Sequence, residues 1–247
     1  MKIKKIFKLK NYLNYLKKYK QSNCKISYSQ CGEDIIIDFI LKEIGIQNPF
    51  YVDIGTNDPI KYNNTYLFYK NGSRGICIEP DPIIFNKIKK IRKRDTSFNL
   101  GIGAEKENIS TADFFIMSSG TLNTFSREEA EKIEKNKSYG NQKIEKIIKI
   151  PLTNINNFLI KERIKEIDLI SIDTEGYDYD ILESINYNIT RPKIICVETA
   201  RCIDSERIEK EKNIKNLLTK NNYFLYADTF INSIFIDKNV YKKEIIY

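Results

Sequence analysis

Four short apolar runs in this chain end in a carboxylate: Tyr51-Val52 in Asp53, Ile76-Cys77-Ile78 in Glu79, Leu169-Ile170-Ser171-Ile172 in Asp173, and Ile194-Ile195-Cys196-Val197 in Glu198. A fifth acid, Glu175, follows Asp173 by two residues. Desolvating a carboxylate costs several kcal/mol, so the end of a buried strand seldom keeps one without a partner or a ligand. Any single one of these acids is as readily a helix cap or the partner of a lysine; four together point to a site. Acids so placed can accept hydrogen bonds from ribose hydroxyls, act as general bases, or ligate a hard cation through oxygen. The chain has no histidine, which excludes Ser-His-Asp and Cys-His catalysis and every His-based metal centre. The base must be Asp, Glu, Lys, Tyr or water. Transfer from an electrophile that is already activated tolerates that shortage better than amide hydrolysis does.

The first two acids belong to one unit, residues 50 to 80. Its order of apolar run, glycine turn, helical connection, apolar run and acid is that of the first βαβ unit of a nucleotide-binding sheet. The turn Asp53-Ile54-Gly55-Thr56-Asn57-Asp58 holds one glycine where a dinucleotide site has three. That leaves little room for a pyrophosphate at the helix end and suits an adenosine cofactor without phosphates, S-adenosylmethionine. The plain alternative is that Asp53 and Gly55 form only a strand-ending turn. A nicotinamide oxidoreductase is a competing enzyme class, disfavoured by the missing glycines. The third acid closes a strand in the stretch Ile167 to Asp178, with a helix beginning near Tyr177. Open α/β sheets bind ligands beyond the carboxyl ends of their strands, which sets Asp173 and Glu175 across a crevice from Asp53.

Around these centres the pattern predicts helices over Glu33 to Glu43, Ile83 to Arg92, Asn154 to Lys165 and Ser205 to Lys220. It predicts a short strand and turn over Ser97 to Gly103, strands at Ala112 to Met117 and Lys149 to Leu152, and a closing antiparallel hairpin of Tyr223 to Ala227 with Ser233 to Ile236. The charged run Arg127 to Lys146 reads as a solvated helix and loop over the sheet, or a lid.

A chain of 247 residues with 41% hydrophobic content holds one large α/β domain, here 23–247. Residues 1–22 form a basic amphipathic segment before it. Of 41 basic residues, eight are lysines within positions 1–20, a stretch without acids; 33 remain against 33 acidic residues. The body is formally neutral, so a nucleic-acid groove is not expected. The N-terminal segment suits weak association with an anionic membrane surface, or packing on its own domain. A membrane-associated binding module without catalysis is the corresponding reading from outside the enzymes. Five cysteines, odd in number and without a C-x-x-C pair, suggest no disulfide framework and a reducing cytoplasm. No run approaches the ~20 apolar residues that span a bilayer.

A family resemblance emerges from Ser29-Gln30-x-Gly32-Glu33-Asp34, Tyr51-Val52-Asp53-Ile54-Gly55, Asn64-Thr65, Gly75 to Pro80, Asp168 to Gly176, and Arg191-Pro192 through Val197-Glu198. In this order, over about residues 27–200, they resemble the FkbM-type methyltransferases. Asn63 stands where a serine commonly precedes Asn-Thr, and Ser73 where a tryptophan is frequent. The resemblance implies a class I methyltransferase fold: an α/β, Rossmann-like, mostly parallel seven-stranded sheet with helices on both faces. It implies S-adenosylmethionine as donor and O-methylation of a sugar or nucleotide-linked sugar, as in capsular polysaccharide synthesis. A phosphoramidate or lipid-linked glycan is the alternative acceptor. By the same resemblance Asp53 and Gly55 form the methionine-side loop with Asn57 nearby, Glu79 holds the ribose hydroxyls, Asn99 lies by the adenine, and Gln30 and Glu33 close the methionine end. Asp173 sits near the transferring methyl. Either Asp173, ahead of Glu175, takes the acceptor's proton, or Asp173, Glu175 and Glu198 hold Mg²⁺; the residues leave both open.

Overall fold

The computed structural model describes residues 25–103, 111–202 and 208–241, so the basic segment expected at 1–22 lies outside the described residues. The helices are α1 (Glu33–Glu43), α2 (Tyr66–Lys70), α3 (Pro82–Ile91), α4 (Arg127–Lys135), α5 (Ile155–Lys161), α6 (Asp178–Ser184) and α7 (Lys212–Lys220). The strands are β1 (Tyr51–Ile54), β2 (Gly75–Ile78), β3 (Thr96–Phe98), β4 (Gly101–Gly103), β5 (Ala112–Met117), β6 (Ile144–Ile150), β7 (Leu152–Asn154), β8 (Leu169–Ile172), β9 (Ile194–Glu198), β10 (Ala200–Cys202), β11 (Ile208–Lys210), β12 (Tyr223–Asp228) and β13 (Asn232–Asp237).

Seven strands make the central sheet, in the order β12-β13-β9-β8-β1-β2-β3. β13 pairs antiparallel with both neighbours, and the other pairings are parallel. The seven-stranded, mostly parallel arrangement expected above is therefore present, with its antiparallel element near one edge. β1, β2 and β8 are buried along their whole length. Both faces of a parallel sheet are covered, which is why these strands read as unbroken apolar runs. On one face Ile37, Ile40 and Leu41 of α1 and Phe68 and Tyr69 of α2 meet Tyr51, Leu169, Ile194 and Ile234. On the other, Phe158 and Leu159 of α5, Ile181 and Leu182 of α6, and Ile214 and Leu218 of α7 pack on Val52, Ile170, Ile195 and Phe235.

Local chemistry sets the element ends. Asp81 caps α3 by accepting from the amides of Ile83 (2.7 Å) and Ile84 (3.3 Å), and Pro82 occupies the first turn, where no amide is needed. Asn154 caps α5 through the amide of Asn156 at 2.8 Å.

Five elements depart from expectation. The strand expected at Lys149 to Leu152 is divided between the end of β6 and the start of β7. The stretch 97–103 is two strands, β3 in the main sheet and β4 paired parallel with β7. The charged run is helical only to Lys135; from Ile144 it is β6, an antiparallel partner of β5. Ile148 and Ile150 share one face of β6, opposite Phe114 and Ala112, while Ile144, beyond a register shift, pairs with Met117 on the other face; Lys149 pairs across the ladder with Asp113 at 2.8 Å. α5 stops at Lys161, short of the expected Lys165, and Arg163 beyond it has a left-handed φ of 57°. α7 begins at Lys212, and 208–210, expected to be helical, is β11, while the expected start at Ser205 lies outside the described residues. No helix among the described residues is long and apolar enough to cross a membrane.

Candidate active site

β1 lies at the switch point of the sheet, with β2 on one side and β8 on the other, so the loops after these three strands converge. Backbone bonds tie them together. The amides of Gly55 and Thr56 donate to the Ile78 carbonyl at 3.0 and 3.1 Å, and the Asp173 amide donates to the Ile54 carbonyl at 3.0 Å. Gly55 has φ 78°, and a Cβ there would lie 1.8 Å from the Asp173 carbonyl oxygen. No other residue type fits that crossing.

Beyond these loops opens a cleft of about 550 Å³, counting its mouth, whose wall includes Gly55, Asn57, Glu79, Asp173 and Glu175. The Glu79 carboxylate is held by two amides, Asn57 N on Oε2 and Asp81 N on Oε1, each at 2.8 Å. Each oxygen keeps a lone pair for a further donor. Burial pushes the Glu79 carboxyl up to about 7 against the opposing pull of those amides. Asn99 donates from Nδ2 to the carbonyls of Glu79 and Pro80, both at 2.8 Å, and so fixes the backbone that carries this carboxylate. Leu100, Phe114 and Phe125 make the apolar end of the cleft, with the two phenyl rings 4.6 Å apart.

The β5–β6 hairpin and the turn after β5 close over this cleft. Asn123 Nδ2 donates to Asp81 Oδ2 at 3.1 Å, and the fully buried Thr124 donates from Oγ1 to the Glu175 carbonyl at 2.8 Å. Sequence reasoning missed Asn123, Thr124, Phe114 and Phe125. The only local signal was the polar Ser118-Ser119-Gly120-Thr121 loop, and contact with the cleft is a tertiary property.

Asp173, Glu175 and Glu198, from the ends of β8 and β9, place carboxylate oxygens within 4.8 Å of one another. Among the described residues none of the three is ion-paired to a lysine or arginine. Burial, then the charges of Asp178 and Asp53, raise the Asp173 carboxyl to about 7, while a hydrogen bond with Glu198 opposes the rise. Burial, then Asp173, hold Glu175 and Glu198 well above the ordinary carboxylate range. Glu175 itself has a left-handed φ of 51°, sparsely populated for a residue with a side chain. Its turn is fixed by Asp178, which accepts from the amides of Thr174 (3.0 Å) and Gly176 (3.3 Å), and by Thr124. Three carboxylates without a cation are a donor set that a hard divalent ion fits.

The structure thus gathers Gly55, Asn57, Glu79, Asp173 and Glu175 on one wall and sets Asn99 directly behind Glu79. It does not bring the other three expected residues there. Asp53 is buried beneath the loop and accepts from Thr65 Oγ1 at 2.7 Å and Asn63 Nδ2 at 3.3 Å. Gln30 is exposed. Glu33 is buried at the start of α1, where it accepts from Thr229 (2.6 Å), Asn232 (3.0 Å) and the Cys31 amide (2.8 Å). Burial pushes the Glu33 carboxyl up, and these bonds outweigh it and hold the group below its ordinary range. Oε1 ties α1 to the start of β13, and Oε2 holds the Cys31 amide just before α1.

Among solved structures the chain is similar to a TehB-like SAM-dependent methyltransferase from Corynebacterium glutamicum, at 10% identity and TM-score 0.42 over 93% of this chain and 97% of that one. It is similar to magnesium protoporphyrin IX methyltransferase from Synechocystis with bound SAH, at 7% identity and TM-score 0.43 over 82% and 79%. A third is the 1,6-didemethyltoxoflavin-N1-methyltransferase from Burkholderia thailandensis, at 9% identity and TM-score 0.40 over 83% and 74%. No curated protein matches the chain significantly in sequence. The family model described as the methyltransferase FkbM domain matches residues 53–225, from the acid that ends β1 into β12. With the matched span running through every strand that builds the cleft, the chain belongs to the FkbM-domain methyltransferases.

Proposed function

We propose that this chain is an O-methyltransferase that uses S-adenosylmethionine and acts on a hydroxyl of a sugar or nucleotide-linked sugar, of the kind built into surface polysaccharides. The observation that carries the reading is the amide-oriented Glu79 carboxylate at the end of β2, in one cleft with Asp173 at the end of β8, which among the described residues has no lysine or arginine partner. Bound there, S-adenosylmethionine supplies a methyl group on a positively charged sulfur.

The chain's own residues do the rest. Glu79 accepts from the two ribose hydroxyls through its remaining lone pairs, and Leu100, Phe114 and Phe125 enclose the base. The close crossing of Gly55 and Asp173 sets the distance between donor and acceptor, so most of the acceleration comes from positioning and desolvation. Asp173 would take the proton from the acceptor hydroxyl, leaving that oxygen free to receive the methyl group that the cofactor would supply. A base contributes ~10²–10⁴-fold. Burial and the charges of Asp178 and Asp53 keep Asp173 basic by making its charged form costly. Isothermal titration with S-adenosylmethionine and NAD, followed by a labelled-methyl screen of sugars and nucleotide sugars, tests the reading. Asp173→Asn lowers kcat by ~10²-fold or more with cofactor affinity little changed; wild-type turnover in that variant removes the base.

A second reading of the same acids rests on the 4.8 Å grouping: Asp173, Glu175 and Glu198 hold a divalent cation that would orient and acidify a sugar diol. Full activity in EDTA removes it.

A further inference from the structure

Glu175 has two sides. One belongs to the cleft already described, and the other lines a second, wider cavity of about 1350 Å³, counting its open mouth, between α4, the start of α6 and the end of β9. Because Glu175 lines both, an acceptor held in the wider cavity lies next to the acids at the end of β8. Among the described lining residues stand seven carboxylates, with Glu128, Glu129, Asp180 and Glu211 joining the acids already named, and one ammonium, Lys132. Lys132 is itself engaged by Glu129 at 3.1 Å. The hydroxyls of Ser126 and Thr199 and the rings of Tyr177 and Tyr179 complete the wall.

From this wall we infer that the acceptor is an uncharged or amine-bearing polyhydroxyl compound, such as an amino sugar or a neutral glycan end, and not a phosphorylated or nucleotide-linked one. The inference rests on the proposed function and narrows it. Bringing a diphosphate against several carboxylates sets like charges side by side, which suppresses wrong partners. The imbalance survives protonation of the buried acids: with Asp173, Glu175, Glu198 and Asp178 neutral, Glu128, Glu129 and Asp180 remain against Lys132, and Lys210, which reaches the wall at Thr199, is itself held by Asp228 at 2.8 Å. It also survives a divalent cation, which offsets two charges of the seven. Hydroxyl and ammonium donors, by contrast, find acceptor oxygens along the whole wall.

The test uses the full chain saturated with S-adenosylhomocysteine and titrated with glucosamine, glucose and UDP-glucose, by saturation-transfer NMR and calorimetry, with and without EDTA. The expected order is glucosamine, then glucose, with UDP-glucose at least ~10-fold weaker than glucosamine. The double reversal Glu128→Lys with Asp180→Lys lowers the glucosamine to UDP-glucose ratio at least ~10-fold and leaves S-adenosylmethionine affinity unchanged. UDP-glucose binding more tightly than glucosamine, binding by none of the three, or a ratio unmoved by the reversal overturns the inference. Absence of S-adenosylmethionine binding in a parallel titration overturns the donor assignment instead, so the two failures are told apart.

Discussion

Glu79 carries two tasks that pull its proton affinity in opposite directions. Burial keeps the carboxyl up near 7, while the ribose needs the ionised acceptor. The sign follows: below about 7 the protonated acid has lost acceptor capacity, so cofactor affinity rises with pH through about 7 and then levels. Isothermal titration between pH 5.5 and 8.5 checks this. Glu79→Gln is expected to flatten the profile, and Glu79→Ala to weaken S-adenosylmethionine binding by ~10-fold or more at every pH. For stability the sign reverses. A carboxyl whose folded value lies above its unfolded one favours folding below the unfolded value, and that contribution is lost as pH rises to about 7. Glu79 and Asp173 were legible because an ionisable residue closing an apolar run is physically expensive; the same pattern singled out Asp53, which lies beneath the Gly55 loop, bonded to Thr65 and Asn63, instead of on the cleft wall. Glu33 drew attention for a different reason, family resemblance, and its oxygens turn out to serve the α1–β13 junction.

Among the elements, the hairpin β5–β6 with its following turn is the one that sequence reading placed least well, and it carries the cover of the cleft. Its second strand was hidden because β6 exposes much of both faces, so Lys and Glu interrupt the alternation that marks a half-buried strand. Buried strands β1, β2, β8 and β9 have no such ambiguity, and their boundaries were read to within a residue of those observed. The hairpin's hold on the site is the Thr124 hydroxyl on the Glu175 carbonyl. Thr124→Val removes the donor while keeping the shape. It should lower kcat and cost ~1–3 kcal/mol of stability, and Thr124→Ser should restore most of both. Steady-state kinetics beside thermal unfolding separates the two effects: Thr124→Val with wild-type kcat removes the link between hairpin and acid.

At the level of the whole molecule, the cleft loops stand on a buried polar network. Arg92 is 0% exposed. It reaches Asp95 (2.7 Å), Tyr51 (3.0 Å), Thr65 (2.9 Å) and Asn63 (3.1 Å), and the last two bond Asp53 at the foot of the Gly55 loop. Removing one side of a buried ion pair leaves the other charge without a partner and costs ~3–5 kcal/mol. Arg92→Met is therefore expected to lower Tm by roughly 6–20 °C at the ~2–4 °C per kcal/mol of a chain this size, measured by scanning calorimetry. Asn63 and Thr65 were noticed in the sequence as part of a motif, but Arg92 was not. A lone arginine at a helix end gives no hint that the fold will enclose it.

β13 follows β12 in the chain yet lies inside it in the sheet, against β9, where Arg191 meets Asp237 at 2.7 Å. On a ribosome, then, synthesis of Asn232 to Asp237 is the step that completes the scaffold, and until it emerges β9 presents an open hydrogen-bonding edge to any neighbouring nascent chain. A chain halted after Phe230 should appear in inclusion bodies or bound to chaperones, although every acid of the cleft has already been translated.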